Sequence, residues 1–384
     1  MRKICIVVAS RANYGRIKSV MRAVQKHPDL TLQVVASASA LLYRFGNVVD
    51  VMRADGFTPD ATCNMIVEGN SPASMSKSTG LGILDLTTVF DTLKPDIVLT
   101  VADRYETLAT AVAASYLNIP LAHTQGGELT GSIDDSVRHA ITKLAHIHLT
   151  TNDDSAAVIR QMGEHPERIH VCGCPAIDLA AEVRADAEKD LFAEYGGSGD
   201  RLDWNKPFLV VLQHPVTTEF GHGREQILET IEAVKRIAMQ TVWLWPNVDA
   251  GTDDISKALR EFQAHHTDVP VHFFRNFSPE DYVRLIDRSA CLIGNSSSGI
   301  REGAFLGVPV VNIGTRQNAR QRAGNVIDVD YDAGAIESAI RTQLEHGRYP
   351  QDSLYGNGRA GERIAALLAT VPLSIKKEFV RVSN

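Results

Sequence analysis

The densest group of chemically reactive side chains in the sequence lies between residues 123 and 139. Glu128 follows a pair of glycines, and Asp134, Asp135 and Arg138 come shortly after it. Glycine pairs permit sharp turns and close backbone approach, so Glu128 can project into a cleft, where a carboxylate is able to transfer protons. Acidic residues are also normal in the first turn of a helix, because they cap its free N–H groups. The pattern favours a catalytic role for Glu128 and leaves catalysis and capping equally open for the two aspartates.

Other polar side chains follow short apolar runs that we predict to be strands. They are Arg11, Asp103, Arg104, His214 and Asn247. A lone histidine or a neighbouring acid and arginine is usually structural. However, the carboxyl ends of parallel strands meet at one edge of a sheet, so several such groups converge on one crevice. The pattern therefore predicts a site that combines an acid with anion-binding cations.

A turn of small residues, 294–299, follows the predicted strand Ala290–Ile293 and precedes a predicted helix. Free backbone N–H groups at such a turn, with the hydroxyls of Ser296 and Ser297, can bind a phosphate. An ordinary serine cap satisfies the same N–H groups without a ligand. Glu302 adds a carboxylate that suits either a ribose hydroxyl or the start of a helix.

Two further motifs carry less weight. Residues 356–361 have the spacing of a dinucleotide fingerprint, but no buried strand precedes them, as that mechanism requires. Cys172 and Cys174 lack further cysteine or histidine ligands at metal spacing, so a tight turn is favoured over a zinc site. We expect no cofactor and no metal ion.

Short apolar runs that alternate with amphipathic stretches must position these groups. The predicted strands in the first half are Ile4–Ala9, Leu32–Ala36, Ile97–Val101, Pro120–His123, His146–Thr150 and Ile169–Cys172. Those in the second half are Phe208–Leu212, Thr241–Trp245, Val271–Phe274, Ala290–Ile293, Pro309–Ile313 and Val326–Val329. Helices are predicted between them, such as 14–25, 105–116 and 134–145. This pattern is typical of parallel sheets covered on both faces, which predicts an α/β fold with doubly wound, Rossmann-like sheets.

The length of 384 residues favours two domains over one. The pattern predicts an N-terminal Rossmann-like domain over 1–175, a linker region over 176–205 and a C-terminal nucleotide-binding domain over 206–359. We expect a final helix over about 360–384 to pack back on the first domain. Two such domains would face a cleft that holds the ligand.

The composition limits the partners. The net charge is −7, with 44% hydrophobic and 22% charged residues, which is a globular profile without a broad cationic surface for nucleic acid. Five scattered cysteines indicate reduced thiols. No stretch has the length of a signal peptide's apolar core or a membrane span. We expect a cytoplasmic protein that binds neither nucleic acid nor membrane.

Taken together, several motifs resemble those of the hydrolysing UDP-N-acetylglucosamine 2-epimerases, the type found in sialic and legionaminic acid biosynthesis. The resemblance covers about residues 3–330, and its most specific block is Ile133–His146. The other motifs are Ser10–Ala12, Asp103–Arg104, Gly126–Glu128, Gln213–Thr218, Pro246–Gly251 and Gly294–Gly299. The resemblance implies the glycosyltransferase type B fold and an enzyme that releases N-acetylmannosamine and UDP.

The resemblance also implies roles for single residues. The candidate acid and base groups are Asp103, Glu128 and Asp134, with Arg138 near the diphosphate or sugar. The groups expected to bind UDP are Arg11, Arg104, His214, Asn247, Ser296, Ser297 and Glu302, and His214 would also assist departure of the diphosphate. Relatives of this type often form homo-oligomers, either dimers or tetramers, so we expect a homo-oligomer here.

Several alternatives stay open at this point. The substrate is also compatible with a UDP- or GDP-linked 2,4-diacetamido-2,4,6-trideoxy sugar, as in routes to legionaminic-type acids. A non-hydrolysing epimerase would return the epimerised nucleotide sugar instead of the free sugar. A glycosyltransferase would need an acceptor, and a nucleotide-sugar sensor would bind UDP without turnover.

Overall fold

The computed structural model describes residues 1–43, 47–69, 71–131, 133–183, 189–246, 250–265 and 269–381. The chain divides into two units. Unit 1 comprises Met1–Leu129, Ile133–Leu179 and Tyr355–Asn384, and unit 2 comprises Thr130–Ser132 and Ala180–Leu354.

The strands are short and mostly apolar. They are β1 Arg2–Val8, β2 Leu30–Ser37, β3 Ala61–Cys63, β4 Ile97–Val101, β5 Leu121–Thr124, β6 Ile147–Thr150, β7 Ile169–Val171, β8 Ser198–Gly199, β9 Leu209–Leu212, β10 Thr241–Leu244, β11 Val271–Phe274, β12 Cys291–Gly294, β13 Val310–Ile313 and β14 Val326–Val329.

The helices alternate with these strands. They are α1 Arg11–Gly15, α2 Lys18–Lys26, α3 Val48–Ala54, α4 Pro72–Leu93, α5 Tyr105–Tyr116, α6 Ile133–Leu144, α7 Asp153–Gln161, α8 Pro175–Val183, α9 Leu191–Glu194, α10 Gly223–Ile237, α11 Thr252–His265, α12 Pro279–Arg288, α13 Ser297–Ile300, α14 Glu302–Leu306, α15 Ala333–His346 and α16 Ala360–Thr370.

Each unit is built on one seven-stranded sheet. The strand order is β3-β2-β1-β4-β5-β6-β7 in unit 1 and β14-β13-β12-β9-β10-β11-β8 in unit 2. All neighbouring strands are parallel except the edge pair β11 and β8, which is antiparallel. The order reverses between β1 and β4 in unit 1 and between β9 and β12 in unit 2. Such reversals are where doubly wound sheets bind ligands, outside the carboxyl ends of the strands.

Burial on both faces explains why the strands read as continuous apolar runs. In β1 and the residue after it, the side chains at positions 4, 6 and 8 enter the core on one face of the sheet, and those at 5, 7 and 9 enter the core on the other. Alternating side chains point to opposite faces of a strand, so both faces need apolar residues. The predicted doubly wound strands are therefore found, with the limits of β11 and β14 as predicted.

One predicted helix is divided. The expected helix over 14–25 is found as α1 and α2, with Ser10 capping α1 through a bond from the Asn13 N–H to its hydroxyl, 3.2 Å long. The Ile17 backbone has a φ of −127°, which is outside the helical range and interrupts the helix. Arg11 consequently lies in a short separate helix directly after β1.

The segment 176–205, predicted as a linker region, contains regular structure. It holds most of α8, then α9, which Asp190 caps, and the edge strand β8. An aromatic group anchors α9, because the Phe192 ring lies 5.0 Å from that of Trp204 and 5.1 Å from that of Phe208. The boundary between the two units, after Leu179, lies within this segment, and its regular elements are too short for their periodicity to show in the sequence.

The C-terminal helix is shorter than predicted. It ends at Thr370, and residues 371–381 form neither helix nor strand. Pro372 explains the end, since proline disfavours a helical backbone in the residue before it. In unit 1, α16 packs against α2, where a Cβ on Gly361 would lie 2.8 Å from the Ser19 oxygen. Asp178 accepts bonds from the N–H groups of Ala360 and Gly361, so the 356–361 glycine pattern serves helix packing.

No helix within the described ranges, including the 22 residues of α4, has both the length and the apolar content to cross a bilayer.

Two glycines on α4 are expected to respond oppositely to replacement by alanine. A Cβ on Gly80 meets nothing within 4 Å, whereas one on Gly82 would lie 2.7 Å from the Met65 methyl and 3.0 Å from the Ala109 Cβ. Gly80→Ala should raise the free energy of unfolding by about 0.5–1 kcal/mol through helix propensity. Gly82→Ala should lower it by about 1–3 kcal/mol through overpacking.

Urea unfolding of the wild type and both variants, followed by circular dichroism, measures the two changes. Equal effects of the two substitutions would contradict this packing of α4 against α5.

Candidate active site

In unit 1, sharp backbone turns follow two neighbouring strands. Ala102, after β4, has a φ of +66°, and Gln125, after β5, has a φ of +61°. Left-handed backbone is uncommon for residues other than glycine, and it concentrates at functional sites. The turn at Ala102 directly precedes Asp103, so strained backbone at this sheet edge positions one of the predicted acids.

The glycine pair before Glu128 is required by close packing. A Cβ on Gly126 would lie 2.9 Å from the His123 ring, and one on Gly127 would lie 2.0 Å from the Ser155 carbonyl oxygen. Gly127 also has a φ of +78°, which favours glycine. The chain therefore passes directly over the end of β5 and the first turn of α7 before it reaches Glu128, which is buried.

Arg138 joins the predicted acids of unit 1. Its side chain is 0% exposed and lies on α6. The guanidinium forms an ion pair with Asp103 and donates bonds of 2.5 Å to the Asp135 carboxylate and 2.5 Å to the Glu128 carbonyl oxygen. One arginine thus fixes the ends of β4 and α6 and the loop after β5.

Electrostatics keeps this arginine charged. Burial lowers the pKa of Arg138, but the carboxylates of Asp103, Glu128 and Asp135 outweigh burial and raise it above its ordinary value. In the structure the N–H groups of Arg138 orient the acids around it, and its predicted place near the diphosphate or sugar stays a prediction. Asp134 lies half-buried in the same first turn of α6 as Asp135.

His123 lies beneath this group and is neutral. Its Nε2 lies 2.7 Å from the Ala102 carbonyl oxygen, which can only accept, so Nε2 carries the proton. The other ring nitrogen, Nδ1, then accepts from the Thr142 hydroxyl at 3.3 Å. Burial lowers the pKa of His123 to about 3. The uncharged ring supports the Ala102 turn without adding a second positive charge beside Arg138.

The two predicted cations of unit 1 sit after β1 and β4. Arg104 donates from Nε to the buried Glu106 carboxylate at 2.7 Å. This ion pair resembles the structural role that the sequence analysis left open for Arg104. Arg11 is the first residue of α1 and is half-buried. Both therefore lie at the β1–β4 reversal, where doubly wound sheets bind ligands.

In unit 2, the Asn295 side chain holds the backbone of His214 across the β9–β12 reversal. Its Oδ1 accepts from the His214 N–H at 2.7 Å, and its Nδ2 donates to the His214 carbonyl oxygen at 2.8 Å. Both residues are buried. Gly294 permits this approach, because a Cβ there would lie 2.1 Å from the Leu212 carbonyl oxygen and its φ is +125°.

The loop after β13 supports the same asparagine. The Asn295 carbonyl oxygen accepts from Arg316 at 3.1 Å and from Gln317 at 3.0 Å. Arg320 in turn donates to the Gln317 amide oxygen at 2.7 Å, inside the protein. Buried polar groups connected in this way fix one arrangement, so the position of His214 is determined from three strand ends.

The serines after β12 form a hydroxyl cluster at the start of α13. Ser296 caps this helix by accepting from the Ser298 N–H at 3.4 Å, and its hydroxyl lies 2.7 Å from that of Ser298. The Tyr282 hydroxyl lies 2.6 Å from the Ser298 hydroxyl. Capping, the structural alternative for Ser296, therefore does occur. Ser297 is the buried first residue of α13.

The remaining predicted residues of unit 2 are Glu302 and Asn247. Glu302 is the half-buried first residue of α14. Asn247 lies outside the described residues. Among the residues that the structure does describe, no group of three or more histidines, cysteines, aspartates and glutamates is arranged to bind a metal ion.

Comparison with known protein families identifies the family of this chain. The family model for UDP-N-acetylglucosamine 2-epimerase matches residues 22–369. The chain belongs to the UDP-N-acetylglucosamine 2-epimerase family. The matched region includes every predicted site residue except Arg11.

Curated relatives of the family span nearly the whole chain. The UDP-N,N'-diacetylbacillosamine 2-epimerase (hydrolyzing) of Legionella pneumophila is 34% identical over 97% of this chain and 97% of its own. The UDP-N-acetylglucosamine 2-epimerase of Neisseria meningitidis is 28% identical over 99% of each chain.

A solved structure from the same family agrees in fold. The UDP-GlcNAc 2-epimerase of Methanocaldococcus jannaschii, in complex with UDP-GlcNAc and UDP, has a TM-score of 0.79 at 17% identity, over 95% of this chain and 99% of that chain. The predicted fold class, an α/β protein with two Rossmann-like units of the glycosyltransferase type B kind, is confirmed.

Three residues that support the predicted site residues are not predicted from the sequence. Asp135 is not among the predicted site residues, although its spacing of three residues from Arg138 brings the two side chains together on the helix. Asn295 stood inside the recognised small-residue turn, yet nothing local showed that its amide binds His214. His123 ended a predicted strand, and only its closeness to Gly126 in space reveals its role.

The neutral state of His123 predicts a pH dependence of stability. Its pKa is about 3 when folded, against an ordinary 6.5, so the unfolded chain takes up the proton first as the pH falls. The stability that neutral His123 contributes is complete above pH 6.5 and declines towards pH 3, by up to about 1.4 kcal/mol per pH unit. His123→Gln, which retains an N–H donor for Ala102, should flatten this decline.

Urea unfolding at intervals between pH 6.5 and 4.5 gives the slope for each protein. The difference between the slopes isolates His123 from other titrating groups. Parallel slopes would show that His123 is charged in the folded state.

Proposed function

We propose that this protein is a hydrolysing 2-epimerase that converts UDP-N-acetylglucosamine and water into N-acetylmannosamine and UDP. The observation that carries the proposal is the set of acids held by buried Arg138 at the strand ends of unit 1, in a chain of this family. Epimerisation at C2 needs acids and bases in fixed positions, and this group provides them.

The proposed reaction has two stages. A carboxylate first takes the proton from C2 of the sugar, the anomeric C–O bond breaks, and its electron pair leaves with UDP, which gives a 2-acetamidoglucal. Water then adds at C1 while an acid returns a proton to C2 from the opposite face. The two stages need at least two carboxyl groups, and Asp103, Glu128 and Asp134 are the candidates.

Arg138 supports this chemistry by orientation. Its bond to Asp103 fixes the carboxylate, and its bond to the Glu128 carbonyl oxygen fixes the backbone that carries the second acid. Charge-assisted bonds of this kind are strong and directional. Because misplacement by about 1 Å can cost about 100-fold in rate, this rigidity matters to catalysis.

Unit 2 supplies the proposed nucleotide contacts. His214, Ser296 and Ser297 would bind the diphosphate and absorb the charge that develops as UDP leaves. Glu302 would accept from the ribose hydroxyls, and Asn247 would contact the nucleotide. Arg11 and Arg104 of unit 1 are the proposed additional cations.

Relatives support the hydrolysing form and favour a second candidate substrate. The 34% identical Legionella relative and a 30% identical Campylobacter jejuni relative are both diacetylbacillosamine 2-epimerases of the hydrolyzing kind. UDP-N,N'-diacetylbacillosamine is therefore the alternative substrate, with the same bonds broken and formed. Cytoplasmic location stays a prediction from the cysteine content and apolar patterning of the sequence, and homo-oligomeric assembly stays a prediction from the resemblance.

Proton NMR of products formed in deuterated water tests this function. With either nucleotide sugar, we expect free UDP and a free 2-epimerised sugar that carries deuterium at C2. Comparison of kcat/KM for the two sugars identifies the preferred substrate. An intact epimerised UDP-sugar after exhaustive reaction would instead establish the non-hydrolysing reaction, and UDP binding without turnover would establish a sensor.

Two substitutions should separate chemistry from nucleotide binding. Glu128→Gln removes a proposed proton-transfer group, so UDP release should fall at least about 1000-fold while the Kd for UDP changes less than about threefold. Asn295→Ala releases the backbone of His214, so the Kd for UDP should rise about tenfold or more. Steady-state kinetics and calorimetric titration measure these values.

Asn312→Ala is the matched control for Asn295. Asn312 is also buried in unit 2, on the neighbouring strand, but its amide binds Asp328 at 2.7 Å. This variant should retain wild-type affinity for UDP. Equal loss of turnover and affinity in Glu128→Gln would argue against proton transfer by Glu128.

A further inference from the structure

The far end of α6, away from the acids, is bound by residues that no site motif contains. The first turn of α6 carries Asp134 and Asp135, and Arg138 follows one turn later. Its last turn contacts the non-helical segment 371–381, which follows α16 within unit 1. Helix α6 thus has its proposed catalytic groups at one end and a contact with the C-terminal segment at the other.

Lys377 makes the central contact. Its Nζ donates to the carbonyl oxygens of Ala145 and Thr142, the latter at 3.5 Å, and to the Glu164 carboxylate at 2.6 Å. The carbonyl groups in the last turn of a helix lack partners within the helix. Lys377 therefore adds a donor at the end of α6, where the Thr142 carbonyl oxygen also accepts from the Ala145 N–H at 3.2 Å. The Lys377 side chain is 24% exposed.

Glu164 joins this lysine to α6 a second time. Its carboxylate, 3% exposed, also binds Lys143 of α6 at 2.5 Å and His148 of β6 at 3.1 Å. Burial raises the pKa of Glu164, but the bonds from His148, Lys143 and Lys377 outweigh burial and lower it to about 2. One negative charge thus lies between two lysines. The net positive charge that remains lies at the C-terminal end of α6, where it interacts favourably with the negative end of the helix dipole.

The rest of the segment is fixed along its length. The Ile375 carbonyl oxygen lies 3.1 Å from His146 Nε2, and the Val380 N–H donates to the Gly163 carbonyl oxygen at 2.9 Å. The Phe379 ring lies against Gly163, where a Cβ would come within 2.4 Å of it, and Lys143 lies 5.3 Å from the centre of the same ring. Backbone contacts on both sides of Lys377 hold it in position.

Helix geometry connects the two ends of α6. A rise of about 1.5 Å per residue places Thr142 about 6 Å along the axis from Arg138 and about 12 Å from Asp134. Lys377 is therefore too far from the acids to act on a bound sugar itself. However, a twelve-residue helix moves as one body, so a shift at its last turn also shifts Arg138 and the Asp103 carboxylate bound to it.

We propose that Lys377 is a positioning residue, which fixes α6 along its axis and so holds Arg138 and the acids in their reactive arrangement. The inference rests on the proposed function for its effect on rate. The effect of Lys377 on the order of α6 does not depend on the proposed function.

Lys377→Met removes the charge and the donor but retains the aliphatic stem. We expect kcat to fall about tenfold, with KM and the Kd for UDP within twofold of wild type, since nucleotide contacts are unaffected. Lys377→Arg keeps a cationic donor and should retain kcat within about threefold. Lys376→Met is the matched control, because the Lys376 side chain is 80% exposed and forms its ion pair with the exposed Glu378.

Amide hydrogen exchange provides a readout that does not depend on activity. In Lys377→Met, amides of α6 should exchange about tenfold faster, while those of α5 remain as in the wild type. If Lys377→Met fails to fold, Lys143→Met, which removes the other bond between α6 and Glu164, should give the same selective change.

Unchanged kcat and unchanged α6 exchange in Lys377→Met would overturn the positioning role. A uniform rise in exchange across unit 1, with KM and kcat both altered, would also overturn it in favour of general stability. If the wild type itself turns over neither sugar, the proposed function fails, and the exchange comparison still decides whether Lys377 orders α6.

Discussion

A fully buried guanidinium is the constraint on which unit 1 depends. Removing an arginine from water costs several kcal/mol, and only well-placed acceptors offset that cost. Arg138 finds them in Asp103, Asp135 and the Glu128 carbonyl oxygen, so its burial requires that β4, the loop after β5 and α6 meet at one place. The same contacts that stabilise the charge orient the proposed acids. Stability and chemistry consequently depend on one set of bonds, and loss of a single acceptor would affect both.

Unit 2 reaches a similar result around a neutral amide side chain. An amide at the sheet reversal, Asn295, binds both backbone groups of His214, and Gln317 and Arg316 bind its own carbonyl oxygen. Left-handed backbone also helps to position the site residues of both units. It turns the chain sharply at a strand end, at Ala102 in unit 1 and at Gly294 in unit 2.

Much of the fold follows from the sequence alone, because strands buried on both faces are continuous apolar runs. Ile97–Val101 and Tyr105–Tyr116 were predicted with the limits found in the structure. The two-residue strand β8 has no such signal, and neither has the break between α1 and α2. In the site, Asp134 and Asp135 stand four and three residues before Arg138, and both spacings bring a side chain next to it, so spacing alone does not tell which acid binds the arginine. Lys377 is the clearest example of a contact that sequence patterns do not predict, since its partners at the end of α6 lie more than 200 positions earlier in the chain.

The return of the chain to unit 1 has a consequence for biosynthesis. The core of unit 1 includes Ile364 and Leu368 of α16, which leave the ribosome only after every strand of unit 2 has been translated. Nascent chains fold domain by domain as they emerge. Unit 2 can therefore fold while the chain is still growing. Unit 1 stays incomplete during this time, because the apolar face of α2 is exposed until α16 covers it. Chaperone engagement during translation should accordingly concentrate on the first half of the polypeptide.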